Sequence, residues 1–148
     1  MTSDLETLYR DVVLDHHRRP RNFRRLADAR TAEGSNPLCG DRLTIYVRVA
    51  DGVILDAAFQ GLGCAIAIAS ASLMIERVKG RTVAETRDLF ERFQRMITAP
   101  PDAPVDDLGD LSALAGVGRF PVRVKCATLP WQALHAAVAD GAGVVSTE

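Results

Sequence analysis

The chain has 148 residues, of which 47% are hydrophobic and 25% are charged, a composition typical of one soluble domain. Its 18 basic and 19 acidic residues leave a formal net charge of −1. That balance gives no electrostatic reason to expect nucleic acid or an anionic membrane as a partner. The longest apolar stretch, residues 63–75, is shorter than the roughly 20 residues that a membrane-spanning helix needs. We therefore predict a single domain over residues 1–148 with no membrane span.

The N-terminal half predicts one helix followed by strands. Ser3 is suited to cap an amphipathic helix. Residues 29–33 predict a short edge strand, and residues 43–49 alternate like a half-buried strand. The Asp51-Gly52 pair is a hairpin signal that leads into another strand over residues 53–60. These patterns indicate a small antiparallel sheet of about three strands.

Two helices and a loop are predicted next. Residues 64–78 have the length and apolar content of a buried helix. A capping box that begins at Thr82 predicts a second helix, which Pro100 and Pro101 would stop. Residues 99–107 are rich in Pro and Asp and predict a loop.

The C-terminal part predicts one more helix. Residues 108–117 are compatible with a short helical turn, and Thr128 is suited to cap a last helix with Pro130 in its first turn. Beyond Gly141 we expect a frayed, flexible tail. The fold class is therefore predicted to be α+β, with the small antiparallel sheet packed against several α-helices.

Charged residues near the N-terminus interrupt the hydrophobic segment that a secretion signal would need: Asp4, Glu6, Arg10 and Asp11. We therefore expect a cytoplasmic protein. In that reducing compartment an odd number of cysteines, three in this chain, argues against structural disulfides. The thiols are then available for metal binding or for chemistry.

The three cysteines are predicted to lie where loops meet regular elements. Together with Asp41, they could form a four-ligand set of three thiolates and one carboxylate, which suits zinc, with iron as the alternative. Cys64 would lie at a helix N-terminus, where unpaired N–H groups favour an anion. The motifs are Asn36-Pro37-Leu38-Cys39-Gly40-Asp41, Gly61-Leu62-Gly63-Cys64-Ala65 and Arg123-Val124-Lys125-Cys126-Ala127.

The cysteine spacing alone does not decide between a shared site and separate core residues. The 24 residues between Cys39 and Cys64, and the 61 between Cys64 and Cys126, match no zinc-finger or zinc-ribbon pattern. Free cysteine is also a common core residue. Glycine beside two of the cysteines, and Asp41 two residues after Cys39, favour a shared site.

The same motifs resemble the SufU/IscU family of iron-sulfur cluster assembly proteins. The resemblance covers the chain from about Tyr9 to His135 and includes further residues in the same order. These are Leu8-Tyr9-Arg10, Asp15-His16-His17, Pro20-Arg21-Asn22, and Ala69-Ser70 with Ser72.

The chain is more similar to the SufU branch than to the IscU branch. Scaffolds of the IscU type usually carry histidine directly before the third cysteine, whereas Lys125 precedes Cys126 here. Residues 120–125 replace the Leu-Pro-Pro-Val-Lys segment of those scaffolds, and residues 99–119 are additional. Pro130 is a local departure from the family pattern.

The SufU resemblance implies a zinc-dependent sulfur acceptor. By motif position, the metal ligands would be Cys39, Asp41, Cys64 and Cys126, and Cys39 would accept the sulfur. The implied partners are a SufS-type, pyridoxal-phosphate-dependent cysteine desulfurase and a downstream iron-sulfur scaffold. On this hypothesis the chain is a sulfurtransferase-like carrier that activates the desulfurase.

Two basic residues are candidates to support such a site. Three thiolates and a carboxylate around a divalent ion leave a charge of about −2, which nearby cations would stabilise. Arg123 and Lys125 lie closest in the sequence to the third cysteine. We expect substitution of either residue to weaken activation of the partner more than folding.

Two other functions fit the same motifs. The first is a scaffold that binds iron, or a transient 2Fe-2S cluster, at the shared Cys and Asp positions. The second is an interaction module with a purely structural zinc ion, in which loss of any ligand would unfold the protein.

The remaining conspicuous residues are assigned to packing or to the surface. His16, His17 and His135 lie on predicted helices away from the cysteine loops, and we assign them no metal. The basic residues over 18–25 have only Phe23 among them, so a solvated face is favoured over nucleic-acid binding.

Overall fold

The structure is a computed structural model that describes residues 4–99, 108–139 and 144–146. In chain order its elements are α1 (Asp4–Arg18), β1 (Arg30–Asn36), β2 (Asp41–Ala50), β3 (Val53–Leu62), α2 (Ala65–Val78), α3 (Val83–Thr98), a 3₁₀ helix (Gly109–Arg119), α4 (Pro121–Val138) and β4 (Val144–Ser146). Within the described residues, no helix is both long and apolar enough to cross a membrane.

The sheet contains the three antiparallel strands that the sequence predicts. Its strand order is β3-β2-β1-β4, with β1 antiparallel to β2 and β2 antiparallel to β3. The turn between β2 and β3 has positive φ at Asp51 (52°) and Gly52 (75°), as a two-residue hairpin of type I′ requires. The α+β fold class is therefore confirmed.

The first strand differs from its prediction in length and position. We predicted an edge strand over residues 29–33, but β1 continues to Asn36 and has neighbours on both sides. A Cβ on Gly34 would lie 3.0 Å from the side chain of Leu129, so glycine lets β1 pack closely under α4. Low strand propensity in Gly34-Ser35-Asn36 concealed this extension.

The fourth strand is short and parallel to β1. Residues Val144–Ser146 pair with Glu33–Ser35 in the segment where a frayed tail was expected. Residues 141–143 and 147–148 lie outside the described part of the chain. Three residues carry too little pattern for a sequence argument to identify a strand.

The core lies between the sheet and the helices. Leu43, Ile45 and Val47 alternate along β2 and are fully buried, which is the pattern of a strand with one covered face. In α2 nearly every side chain is buried. From α4, Trp131 stacks on Phe93 of α3 with ring centroids 4.7 Å apart. The sheet therefore supplies a rigid base from which the loops at one end project.

The last α-helix begins earlier than predicted, and the prediction that Thr128 caps it is wrong. Pro121 occupies the first turn of α4, whereas Pro130 lies inside the helix. The Thr128 hydroxyl donates to the carbonyl of Val124 at 3.1 Å, a bond that occurs inside helices. Cys126 consequently lies within α4 and not at its junction with a loop.

The segment before α4 also differs from its prediction. A single helical turn was expected over residues 108–117, but the 3₁₀ helix runs from Gly109 to Arg119. Of the predicted loop over residues 99–107, only Ala99 is described, as the C-cap of α3. Pro100 and Pro101 lie outside the described residues.

Candidate metal centre

The three cysteines and Asp41 meet at one end of the sheet. One potential ligand atom from each of Cys39, Asp41 and Cys126 lies within 4.8 Å of the other two. The sulfurs of Cys39 and Cys126 are 3.1 Å apart. Cys64 lies on the Asp41 side of the group, with its Sγ 4.0 Å from Asp41 Oδ2. The structure thus brings together all four residues predicted as ligands, with Cys64 at the margin.

The turn between β1 and β2 places two of these side chains. Asn36 pairs with Asp41 across the strands, and the Cys39 N–H donates to the Asn36 carbonyl at 3.2 Å. Gly40 has φ +72°, a left-handed conformation that glycine adopts without strain. This tight turn directs the half-buried Cys39 and the buried Asp41 to the same place.

The junction between β3 and α2 places Cys64 as the N-cap of α2. Its sulfur accepts the Ala67 N–H at 3.5 Å, and its own N–H donates to Asp41 Oδ1 at 2.8 Å. A Cβ on Gly63 would lie 3.1 Å from Asp41 Oδ1. Because Gly63 has no side chain, the carboxylate can reach the start of α2 and join the two loops.

The third thiol is the most buried of the cluster. Cys126 is fully buried, and that burial raises the pKa of its thiol, with further contributions from hydrogen bonds to Cys39 and Asp41. A buried thiolate needs a cation or a metal ion beside it. Cys126 therefore needs positive charge beside it in order to act as a thiolate ligand.

Arg123 supplies positive charge at this site. The pKa of its guanidinium is raised, first by Coulombic attraction to Cys64 and by a hydrogen bond to that residue, and also by attraction to Cys126 and Cys39. Arg123 and Cys126 are three residues apart on α4 and share a face. Lys125 is two residues from Arg123, which corresponds to a rotation of about 200° around the helix.

Two features of this end of the molecule were not predicted from the sequence. Asn36 was considered only as part of a motif, but its side-chain Nδ2 donates to the sulfur of Cys126 at 3.5 Å. Large apolar side chains within six residues of a cysteine in the chain are also exposed. They are Leu38 (68% exposed), Leu62 (80%), Phe120 (54%) and Val122 (58%).

The histidines and the basic segment have other contacts. His16 is buried and shares a hydrogen bond of 2.7 Å with the Ser72 hydroxyl. Within residues 18–25, Arg21 pairs with Asp15 at 2.6 Å and Arg24 with Asp56 at 3.0 Å. The ring of Phe23 packs edge-on against Phe59. Arg21 and Arg24 are thus engaged in ion pairs, and Phe23 packs on the sheet.

The donor atoms fit zinc. Sulfur and carboxylate oxygen are ligands that zinc accepts in a tetrahedral shell, and the atoms of Cys39, Asp41 and Cys126 are close enough for one ion to contact all three. Cys64 would supply the fourth ligand after a small side-chain movement, because its Sγ already faces Asp41. The same donors are compatible with iron.

Comparison with known proteins gives consistent matches. The family model of the NifU-like N-terminal domain matches residues 8–127. The zinc-dependent sulfurtransferase SufU of Bacillus subtilis is 40% identical over 141 residues, which span 95% of this chain and 96% of that protein. The iron-sulfur cluster assembly scaffold protein IscU of Streptococcus pyogenes is 38% identical over 92% of this chain and 86% of that protein.

A solved structure supports the same relationship. The crystal structure of a nitrogen-fixing NifU-like protein (N-terminal) from Brucella abortus superimposes with a TM-score of 0.81 and 26% identity. The match covers 94% of this chain and 97% of that one. The similarity therefore extends over the whole fold and is not confined to the cysteine motifs.

Proposed function

We propose that this chain, which belongs to the family of NifU-like N-terminal domains, accepts sulfur from a SufS-type cysteine desulfurase and supplies it to iron-sulfur cluster assembly. The observation that carries the proposal is the meeting of Cys39, Asp41 and Cys126 in one group, with Cys64 beside it. The similarity to a protein named as a zinc-dependent sulfurtransferase supports this choice.

Cys39 is best placed to receive the sulfur. Cys126 is fully buried, whereas Cys39 is half-buried on a turn whose neighbour Leu38 is largely exposed. Cys64 is also half-buried, but its sulfur caps α2 and lies beside Arg123. A protein donor can therefore approach Cys39 with the least rearrangement.

The transfer step is a thiol-persulfide exchange. The Cys39 thiolate attacks the outer sulfur of a persulfide on the desulfurase, and the sulfur-sulfur bond of that persulfide breaks. The electron pair leaves on the desulfurase cysteine as a thiolate, and Cys39 becomes the persulfide. The exchange is redox-neutral and needs no further reactant.

Zinc, held by Cys39, Asp41, Cys64 and Cys126, would keep the thiols deprotonated without redox chemistry of its own. Arg123 lies close enough for all three cysteines to raise its pKa, and it would stabilise the negative charge of the zinc-loaded cluster. Asp41 accepts the N–H of Cys64 and so joins the turn between β1 and β2 to the start of α2.

The exposed apolar side chains that lie near the cysteines in the chain suit a protein donor. Leu38, Leu62 and Val122 are each more than half exposed and lie within four residues of a cysteine in the chain. Exposed apolar residues grouped around a reactive centre are typical of protein interaction sites. We propose that the desulfurase docks on this rim so that its persulfide reaches Cys39.

A scaffold for cluster assembly is the second candidate function. The similarity to a protein named as an IscU scaffold favours it, as does the ligand set of sulfur and carboxylate. Lys125 stands directly before Cys126, and an ammonium group cannot ligate iron. This residue makes the sulfur acceptor the better-supported proposal.

The test measures the release of alanine from cysteine by a SufS-type desulfurase, with and without the zinc-loaded protein. Mass spectrometry of Cys39 then detects added sulfur. We expect a faster release and a persulfide on Cys39, and Cys39→Ser should abolish both. Cys64→Ser also removes a proposed zinc ligand but keeps Cys39, so it separates the loss of a ligand from the loss of the sulfur acceptor.

Two outcomes would contradict the proposal. If the release rate is unchanged while iron and sulfide assemble a cluster on the three cysteines, the protein is a scaffold. If Cys39→Ser unfolds the zinc-loaded protein, the metal is structural, since a reactive ligand should be replaceable with the fold retained.

A further inference from the structure

Asn36 places a carboxamide group in the interior beside the cysteine cluster. Its side chain is fully buried at the end of β1, and its Nδ2 donates to the sulfur of Cys126 at 3.5 Å. Its backbone carbonyl accepts the Cys39 N–H. One residue thus contacts two of the proposed ligands, through its main chain and its side chain.

The other end of this carboxamide has no hydrogen-bond partner in the part of the chain that the structure describes. Among the described residues, no donor reaches the buried Oδ1 of Asn36. A buried polar atom without a hydrogen bond lowers the stability of the fold. An apolar side chain of similar size would avoid that cost, so the contribution of Asn36 to folding does not explain its presence.

We propose that Asn36 is a positioning residue of the metal centre, whose amide N–H orients the sulfur of Cys126 and weakens its electron donation to the bound ion. The inference rests on the proposed metal site. Groups that hydrogen-bond to metal ligands fix the orientation of those ligands and tune the metal. Asn36 contacts the sulfur from the end of β1, whereas Cys126 itself lies in α4. The hydrogen bond therefore fixes the sulfur relative to the sheet.

Cobalt(II) is the probe that tests this role, because it accepts the ligands of zinc and absorbs through sulfur-to-cobalt charge transfer. Asn36→Val removes both the N–H donor and the oxygen that has no partner, and valine is favoured in strands. We expect the charge-transfer band to move to lower energy and the Kd for cobalt to rise about tenfold or more. The melting temperature of the metal-free variant should stay close to that of the parent.

Ser70→Ala is the matched control. Ser70 is as buried as Asn36 and also contacts α4, but its hydroxyl is satisfied on both sides: it donates to the Ala127 carbonyl at 2.6 Å and accepts from Trp131 Nε1 at 3.2 Å. Its loss should lower the melting temperature and leave the cobalt band in place. Asn36→Val should therefore change the cobalt band but not the melting temperature, and Ser70→Ala should change the melting temperature but not the band.

The outcomes separate this inference from the proposed function. If the parent protein binds cobalt with a sulfur charge-transfer band that Asn36→Val leaves unchanged, the inference fails alone. It also fails if metal-free Asn36→Val loses as much stability as Ser70→Ala, because Asn36 is then structural. If the parent shows no such band, the metal centre fails together with the inference.

Asn36→Asp decides the question if the valine variant does not fold. It keeps the shape of Asn36, replaces the N–H donor by oxygen and adds a negative charge when the carboxyl is ionised. We expect the band to move in the same direction, since an acceptor beside the sulfur leaves it more electron-rich. An unchanged band and an unchanged cobalt affinity in this variant would overturn the proposal.

Discussion

Arg123 and Lys125 carry the same charge two residues apart on α4, but only Arg123 shares a face of the helix with Cys126. The pKa of Arg123 is raised by all three cysteines, with Cys64 first. We expect Arg123→Ala to slow sulfur transfer to Cys39 roughly fivefold at low salt, and Lys125→Ala to change it less than about twofold. Persulfide formation on Cys39 is followed by mass spectrometry over time.

The salt dependence of this effect provides an internal check. Both side chains are exposed, so neither substitution should greatly change the melting temperature. Added salt screens exposed charges and should reduce the difference between the two variants. Equal losses of transfer rate in the two variants would contradict the assignment of Arg123 to the site.

Cys39 and Cys126 are also placed to form a disulfide when no metal is bound. Their sulfurs are 3.1 Å apart, so a bond of about 2 Å needs only a small movement. With diamide as the oxidant, we expect one intramolecular bridge between these residues and a free thiol at Cys64. The closed loop should stabilise the fold by about 4 kcal/mol, seen as a higher melting temperature without reductant.

Peptide mapping without reduction identifies the bridge. Cys64→Ser should still form it and Cys39→Ser should not. Zinc added before the oxidant should suppress the reaction, because metal-bound thiolates are not free to pair. A bridge that mainly includes Cys64 would contradict the arrangement of the cluster.

At the scale of elements, α3 depends on its N-terminal cap. The Thr82 hydroxyl accepts the Glu85 N–H at 3.0 Å, and the Glu85 carboxylate accepts the Thr82 N–H at 3.0 Å. We expect Thr82→Ala to lower the free energy of unfolding by about 1 kcal/mol. Urea unfolding followed by circular dichroism measures the loss.

The other end of the same helix offers a matched control. Thr98 is exposed, and its hydroxyl only bonds back to the carbonyls of Gln94 and Arg95. Thr98→Ala should therefore stay within about 0.5 kcal/mol of the parent. If the two variants are equally stable, the capping box contributes nothing measurable.

The difference between α3 and α4 shows which elements a sequence can predict. The start of α3 is encoded by a local pair, Thr82 and Glu85, and the sequence predicted it correctly. In α4, Thr128 and Pro130 match the sequence pattern of a helix start, but they lie inside the helix. Burial of Leu129 and Trp131 in the core keeps this part of the chain helical. Tertiary packing overrides a local signal here.

At the scale of the whole molecule, the cysteine cluster is a product of topology. The intervals of 24 and 61 residues between the cysteines carry no spacing signal. The local settings of the cysteines suggested the ligand set, and the family resemblance strengthened that prediction. The sheet brings Cys39, Asp41 and Cys64 to one end, and α4 crosses over β1 to add Cys126. The contacts of Asn36 and Arg123 depend on these long-range placements, which periodicity cannot reveal.

The stability of the molecule also depends on a buried histidine far from the cysteines in the sequence. His16 joins α1 to α2 through Ser72, and Ser72 also accepts the N–H of Arg21 at 2.9 Å. The pKa of His16 is lowered from 6.5, chiefly by burial and next by the charge of Arg21, while Asp15, Asp110 and Glu76 act in the opposite direction. The folded protein therefore favours the neutral imidazole.

This lowered pKa makes stability fall on acidification. The unfolded chain takes up the proton more readily than the folded one, so the contribution of His16 is present above pH 6.5 and is lost as the pH falls through that value toward the lower, folded pKa. The carboxyls with lowered pKa, Asp15, Asp56 and Glu85, lose their contributions only below their ordinary values of 3.8 to 4.5. As the pH falls, the contribution of His16 therefore begins to be lost before those of the carboxyls.

The experiment compares urea unfolding between pH 7.5 and pH 5 for the parent, His16→Asn and His17→Asn. Asparagine cannot titrate in this range, so His16→Asn should flatten the fall in stability even if its stability at pH 7.5 is lower. His17 lies next to His16 on α1 but is exposed, so its variant should follow the parent. A fall in His16→Asn as steep as in the parent would assign the acid sensitivity to other groups, because no proton uptake at position 16 would then be linked to unfolding.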